Sequence, residues 1–476
     1  MPGRWMLSHR RWAVMSLAAC AATMAAGLAA PGAASAANGP VSATPASGTP
    51  QLANTGSPQN VRQLVQCGNT MYAVGSFTTI KRFSTTYTRN NIFSFSATAP
   101  YTVTSWNPNV NGVVNSITFS GGNCTHAYIG GKFTSVGGTA VKNIAEIDTS
   151  TGAVMTGFKH SANGQVETLL GHGGHIIVGG YYTSINGSSA DKYMTSLNPT
   201  TGTNDGFIHL GISGNYRYCS PGRCTTSNPT RVYNQQLSHD GTLDLVEGDF
   251  TSVGGLPRQQ IFMLNLATSP ASVTGWTSPE WDGSKGNLPG GYPYQCWFTE
   301  SFYIRAAAWS PDDQTVYIAT TGFRPWNVPT SAPRSGLCDV AAAFPATQAS
   351  VLHNWINYTG CDSLYAAAAD VGAMYAAGHQ RWFQNPNGCD NKGPGAITDP
   401  GMAGLNPDTG KVLLNTGGTA LYTRSRGKGA DDELVTGAGL WIASDSGIVN
   451  NGTFQYSQVC NGVSSHAGIC FLPYPA

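Results

Sequence analysis

Gly130-Gly131-Lys132-Phe133-Thr134-Ser135-Val136-Gly137-Gly138 is the stretch whose recurrence decides the fold. It returns as Gly179-Gly180-Tyr181-Tyr182-Thr183-Ser184-Ile185-Asn186-Gly187, as Gly248-Asp249-Phe250-Thr251-Ser252-Val253-Gly254-Gly255, and in worn form as Val74-Gly75-Ser76-Phe77-Thr78-Thr79-Ile80. Flanking markers keep the same order: Asn111-Gly112-Val113 recurs as Asn163-Gly164-Gln165, and Thr151-Gly152 as Thr201-Gly202. The period is about 50 residues, the range of repeat architectures whose units bury their apolar faces against one another.

Within a unit the pattern reads as a short apolar strand, a turn, a second strand such as His126-Ala127-Tyr128-Ile129-Gly130-Gly131, a long turn and a hairpin, hence four strands. The paired glycines are expected to admit the backbone of an adjacent unit. Asp148-Thr149-Ser150-Thr151-Gly152 and Asn406-Pro407-Asp408-Thr409-Gly410 place glycine where a hairpin needs positive φ. Later units keep the rhythm without the wording, with second strands at Thr315 to Thr320, Met374 to Gly378 and Leu440 to Ser444. Counting second strands gives seven, near residues 74, 129, 178, 246, 318, 376 and 442. The expected fold is all-β, a seven-bladed β-propeller of four-stranded antiparallel blades, which leaves few exposed edges; an open solenoid is the alternative. The last unit ends with Gly468 to Leu472 as its third strand, and residues near 45 to 58 are expected to return as its outer fourth.

The first 36 residues read as a secretory signal: Arg4, Arg10 and Arg11 precede an apolar run from Trp12 to Ala30, and Ala34-Ser35-Ala36 offers a cleavage site. Leu17-Ala18-Ala19-Cys20 fits a lipoprotein box, but the Ala-rich stretch runs well past Cys20, and the residues around Arg10-Arg11 fit a twin-arginine signal poorly. The expected organisation is a signal at 1–36, an N-terminal segment at 37–57 and the propeller at 58–476, in an extracellular protein. Removing the leader takes three of 25 basic residues and none of 24 acidic ones, leaving a net charge of −2. That balance provides no attraction to nucleic acid or to an anionic membrane, and no second apolar run approaches a bilayer span. With charged residues at only 10% and 59 glycines, the composition suits short strands and tight turns.

These phrases, with Gly378-His379-Gln380-Arg381-Trp382-Phe383-Gln384-Asn385-Pro386, Gly393-Pro394-Gly395-Ala396 and Gly439-Leu440-Trp441-Ile442-Ala443-Ser444-Asp445, resemble the delta-60 repeat β-propellers common in secreted actinobacterial proteins. The resemblance runs from about residue 58 to the end. It implies the fold and carries no settled activity.

Ten of the eleven cysteines lie beyond the leader, an even set suited to an oxidising compartment. The repeat places Cys296 and Cys361 before first strands, and Cys338 and Cys389 between second and third strands, so the expected pairs are Cys296 with Cys338 and Cys361 with Cys389. Cys67 and Cys124 hold similar places in neighbouring units, a position from which they can join them. Cys219 with Cys224 and Cys460 with Cys470 would close short local loops. No cysteine set has zinc-finger spacing and no acidic loop demands calcium, so neither metal nor cofactor is expected.

The long connections all emerge on one face, where residues 211–231, 282–303, 323–337 and 379–399 would form a collar over the central channel. Binding residues gather on such loops over a rigid scaffold. The residues expected to contact a ligand are His379, Gln380, Arg381, Trp382, Trp326, Arg324, Trp297 and Asn385, because flat aromatic faces beside amide and guanidinium donors suit a sugar chain. The expected partner is a polysaccharide or an extracellular protein, bound without catalysis. A polysaccharide lyase or glycoside hydrolase is the alternative: Glu300, Asp339, Asp362, Asp390, Asp399, Asp431 and Asp432 lie near the collar, and His379 with Arg381 would serve a lyase. No nucleophile elbow, zincin, Walker or EF-hand motif occurs. A scaffold of an extracellular assembly is the third reading.

Overall fold

The structure is a computed structural model, and it describes residues 39–215, 219–220, 223–224, 229–281, 302–322, 336–387, 391–424, 429–456, 459–461, 463–464 and 466–475. The leader expected over residues 1–36 lies outside them. The chain separates into Met1–Gly32 and Ala33–Ala476, and all that follows concerns the second unit.

The fold is all-β and antiparallel, and the one helical element among the described residues is a single 3-10 turn at Pro279–Trp281. Among the described residues, besides two smaller three-stranded sheets that lie between their strands, seven of the three- and four-stranded sheets follow one another along the chain. Their first and second strands are Asn60–Cys67 with Thr70–Ser76, Val113–Ser120 with Asn123–Lys132, Val166–His172 with His175–Gly180, Arg231–Leu237 with Leu243–Asp249, Ile304–Trp309 with Thr315–Thr320, Leu364–Ala369 with Met374–Gly378, and Asp432–Thr436 with Gly439–Ala443. The fourth and fifth sheets have a fourth strand, Ser272–Val273 and Trp355–Tyr358. In the first, second, third and sixth sheets a single bridge takes its place: Phe95 with Val103, Ile147 with Val154, Leu197 with Asn204, and Leu405 with Val412.

Apolar residues on both faces of the sheets pack them into a cycle. Each of seven buried clusters draws on two consecutive sheets, from Val74 and Ile129 between the first and second to Tyr375 and Ile442 between the sixth and seventh. The last cluster returns to the start, with Trp441 of the seventh sheet beside Phe95 of the first, ring centroids 5.5 Å apart. Full burial of such side chains contributes roughly 1.5–3 kcal/mol each. Ser42 and Ala46 donate backbone N–H groups to Pro473 and Phe471, so the N-terminal segment runs beside the strand Ile469–Pro473. Gln51–Leu52 then pairs with Lys81 and Ile80 of the first unit while the N–H of Leu52 bonds to the carbonyl of Ala467 (2.9 Å), so the segment borders the last unit without joining its ladder.

The opening phrase acquires a local explanation. Gly137 and Gly138, at φ 56° and 86°, form the tip of a two-residue hairpin that pairs Val136 with Thr139. This conformation is closed to most side chains. The paired glycines serve two different ends, which corrects the single role expected of them. A β-carbon on Gly130 would strike Val166 of the next sheet, whereas one on Gly131 would strike the carbonyl of Val113 within its own sheet. A second recurring device precedes every third strand: Asn91, Asn143, Tyr193, Gln260, Asp339, Gly401 and Gly468 all have positive φ. Asn143 uses the resulting orientation to donate to the carbonyls of Ala162 and Gly164 (both 3.0 Å), stitching its sheet to the next unit.

Cys67 and Cys124 form a disulfide between the first and second sheets, and Cys460 and Cys470 form another. Cys338 and Cys361 are also disulfide-bonded. Their expected partners, Cys296 and Cys389, lie outside the described residues. The backbones of Cys219 and Cys224 are paired across a short hairpin.

Candidate functional site

The glycine that meets a carbonyl across the first and second strands marks a β-bulge. Val61 pairs with Gly75 and Gln63 with Val74, which leaves Arg62 unpaired. The same skip isolates Asn115, Glu167, Tyr233, Arg305 and Tyr365. In the seventh sheet Asp431 has the corresponding place: its N–H bonds to the carbonyl of Ala443 (2.8 Å), the residue that pairs with Asp432. A bulge re-aims the side chain of its extra residue. All seven residues line one polar cavity of about 620 Å³, formed by the first strands of all seven sheets.

These groups are coupled around the cavity. Arg62 Nη1 donates to Asn115 Oδ1 (2.8 Å), and Asn115 Nδ2 donates to Glu167 Oε2 (3.1 Å). Glu167 Oε1 lies 3.9 Å from Arg231, whose Nε donates to Asp249 Oδ2 at 2.7 Å. The guanidinium of Arg305 is placed between two rings, 5.3 Å from the centroid of Tyr233 and 5.8 Å from that of Tyr365. Tyr233 donates its hydroxyl proton to the carbonyl of Ile304, which fixes the first of these rings. On the remaining side Asn60 Nδ2 donates to Asp431 Oδ2 (3.3 Å), and the backbone N–H of Leu64 donates to Asp432 Oδ2 (3.0 Å). Burial pushes the carboxyl groups of this last stretch upward, Asp432 to about 6 and Glu433 to about 8. Behind them Arg424 is fully buried and is itself lowered to about 10 by loss of hydration.

The expected collar residues divide. His379 reaches the cavity wall: its N–H bonds to the carbonyl of Ser363 (2.7 Å) and its ring meets Tyr365 edge-on at 5.0 Å. Because His379 directly follows a second strand, this contact puts the bulge ring at the channel end that bears the long connections. Arg381 is held by Asp362, with Nε to Oδ2 at 2.7 Å and Nη2 to Oδ1 at 3.2 Å, and lies 4.4 Å over the ring of Trp382. Trp382 is half-buried in a two-residue strand paired with Ile397–Thr398.

Gln380 and Asn385 are corrections to the expected ligand set. Gln380 is 0% exposed and Asn385 1%, so neither offers its side chain to a ligand from solvent. Asn385 instead closes its own loop, donating to Thr359 and Asn391 carbonyls and accepting from the N–H of Gly393. A polar residue in a loop after a strand reads alike whether it faces solvent or folds inward. Trp297, Arg324 and Trp326 lie outside the described residues, as do Glu300 and Asp390.

Of the cavity-lining groups, Asp431 and Asp432 belong to the acids picked out from the sequence; Arg62, Asn115, Glu167, Arg231, Tyr233, Arg305 and Tyr365 do not. Their signal is faint. Each bulged residue follows a small or branched apolar one, as in Val61-Arg62, Val114-Asn115, Val166-Glu167, Ile304-Arg305 and Leu364-Tyr365. That order equally describes an ordinary alternating strand.

Among the described residues no group of three or more His, Cys, Asp or Glu side chains is arranged to hold a metal ion, and no helix is long and apolar enough to cross a membrane. Histidine–carboxylate pairs occur elsewhere: His126 with Glu146 (2.9 Å), His175 with Asp205 (2.7 Å), and His239 with Asp313 (2.8 Å).

No protein-family model and no curated protein matches the chain. Among solved structures it is similar to U3-55K, at 7% identity and a TM-score of 0.44, covering 90% of this chain and 100% of that one. It is also similar to the computationally designed Ika8 protein, at 8% identity and a TM-score of 0.41, covering 90% of this chain and 100% of that one. A third similar structure is the β-propeller domain of Myceliophteria thermophila Cps50 (Swd1), at 8% identity and a TM-score of 0.37, covering 67% of this chain and 79% of that one.

Proposed function

We propose that the chain is a secreted seven-bladed β-propeller of the delta-60 repeat type that binds a glycan, without catalysis, at the loop-bearing mouth of its central channel. The observation that carries this reading is the ring of seven bulge residues around a polar cavity of about 620 Å³. Arginine, amide and carboxylate groups that are already oriented by one another match the hydroxyl groups of a sugar, and the tyrosine faces match its apolar patches. Preorganisation limits the ordering cost of binding. The disulfides support export, since such bonds persist in oxidising compartments.

A glycan array of cell-wall and plant polysaccharides probed with the mature protein tests the reading. Saturable binding that falls at least tenfold in Tyr365→Ala, a variant checked for folding by circular dichroism, is the expected result. Absence of binding to every saccharide, or capture of a protein from culture fluid through the same mouth, would overturn it.

The upward-shifted Asp432 and Glu433 favour one second reading, a polysaccharide-cleaving enzyme, because acids that hold a proton near neutral pH are what general acid catalysis requires. Incubation with the polysaccharides that bind would then release new reducing ends or unsaturated products. Intact polymer throughout rejects it.

A further inference from the structure

The channel mouth contains three arginines in unlike states. Arg231 is engaged by Asp249 at 2.7 Å and faces Glu167 at 3.9 Å, and Arg62 is engaged by Asn115 at 2.8 Å. Arg305 makes no hydrogen bond and no ion pair among the described residues, and its buried Nε has no partner. It is nevertheless held in place: it leaves the strand at a bulge, and its guanidinium lies between the rings of Tyr233 and Tyr365. Of the nearby acids, Asp249 is hydrogen-bonded by Arg231 and meets the charge of Arg305 only from beyond ion-pair distance, while Asp431 accepts from Asn60 and Asp432 from the N–H of Leu64.

We propose that Arg305 takes the carboxylate of an acidic sugar, so that the ligand of the channel mouth is a uronate-bearing polysaccharide. This rests on the glycan-binding reading above and narrows it to a class. A guanidinium presents parallel N–H donors that match the two oxygens of a carboxylate, and contact with two aromatic rings leaves those donors unused. Cation–π contact also keeps the charge in place at low hydration cost. A uronate adds what a simple anion lacks: ring hydroxyls for Asn115, Glu167 and Asp431, and an apolar ring face for Tyr365. An arginine whose donors already served a carboxylate of its own chain, as Arg381 does with Asp362, would have no such vacancy for a ligand.

The test is calorimetric titration of the mature protein with oligogalacturonate and oligomannuronate, with their methyl esters, and with neutral xylo- and galacto-oligosaccharides. At least one free uronate is expected to bind, and esterification to weaken it tenfold or more. Arg305→Lys, which keeps the charge and loses the fork, is expected to weaken the acid tenfold or more and to leave the ester unchanged. Should Arg305→Lys fail to fold, the acid-to-ester comparison on the unaltered protein decides. Equal binding of acid and ester, preference for a neutral or sulfated oligosaccharide, or unaltered affinity in folded Arg305→Lys would overturn the uronate assignment while glycan binding stands. Failure of every saccharide to bind would remove both.

Discussion

Gly131 pairs with Val114, and the carbonyl of Val113, one residue before, crowds the place a β-carbon of residue 131 would take. The absence of a side chain there lets the first strand crowd inward and expel Asn115 as the unpaired residue of its bulge. Gly131→Ala is therefore expected to destabilise the protein by about 2 kcal/mol, within the range for overpacking. Chemical denaturation measures this. Gly138→Ala provides the contrast: open space surrounds its β-carbon, and its penalty comes from φ 86° alone.

Arg381 and Asp362 predict a stability effect at residues that the sequence marks for binding. The Asp362 side chain is 8% exposed, and Arg381→Ala removes its ion pair while the hydrogen bond from the backbone N–H of residue 381 remains. A loss of about 2–4 kcal/mol is expected, as for other part-buried pairs broken from one side. Thermal unfolding reads it. Saccharide affinity at the channel is expected to stay within twofold.

How far the sequence was legible follows from which features leave a mark on residue type. Turn glycines do, because few other residues adopt their φ, and residues 74, 129, 178, 246, 318, 376 and 442, read as second strands, all lie in one. Outer strands were harder to read, since a lone bridge such as Ile147 with Val154 asks nothing distinctive of its neighbours. The site was barely legible. A bulge is a relation between two strands, and Arg62 or Glu167 carries no sign of it in its own identity. His379 was found because it follows a strand end directly, whereas Gln380, one residue on, is fully buried.

Glu433 gives a pH dependence. Its carboxyl is raised to about 8 by burial and by Asp432, against about 4.3 in an unfolded chain. A raised folded value means that its stabilising contribution is complete below about pH 4 and is lost progressively as pH rises toward 8. Asp244 and Glu247, also raised by burial, act in the same sense. Denaturation at pH 5 and pH 8 is expected to show lower stability at pH 8, and Glu433→Gln to reduce that difference.

Cys67 and Cys124 close a loop across a sequence separation of 57. Chain entropy assigns about 4 kcal/mol to a closure of that length. The double variant Cys67→Ala with Cys124→Ala is expected to lose stability of that order, with loosening confined to the first two sheets. Hydrogen exchange locates the loosening, and a uniform rise across all sheets would contradict it.

The bulge repeated in six sheets, with Asp431 in the corresponding place of the seventh, separates address from content. Backbone geometry determines where each of Arg62, Asn115, Glu167, Tyr233, Arg305, Tyr365 and Asp431 delivers its side chain, and it does so for a cation, an amide, an anion and a phenol alike. The channel mouth is thus a dial with seven stops whose settings can be rewritten singly, leaving the bearings that carry it untouched.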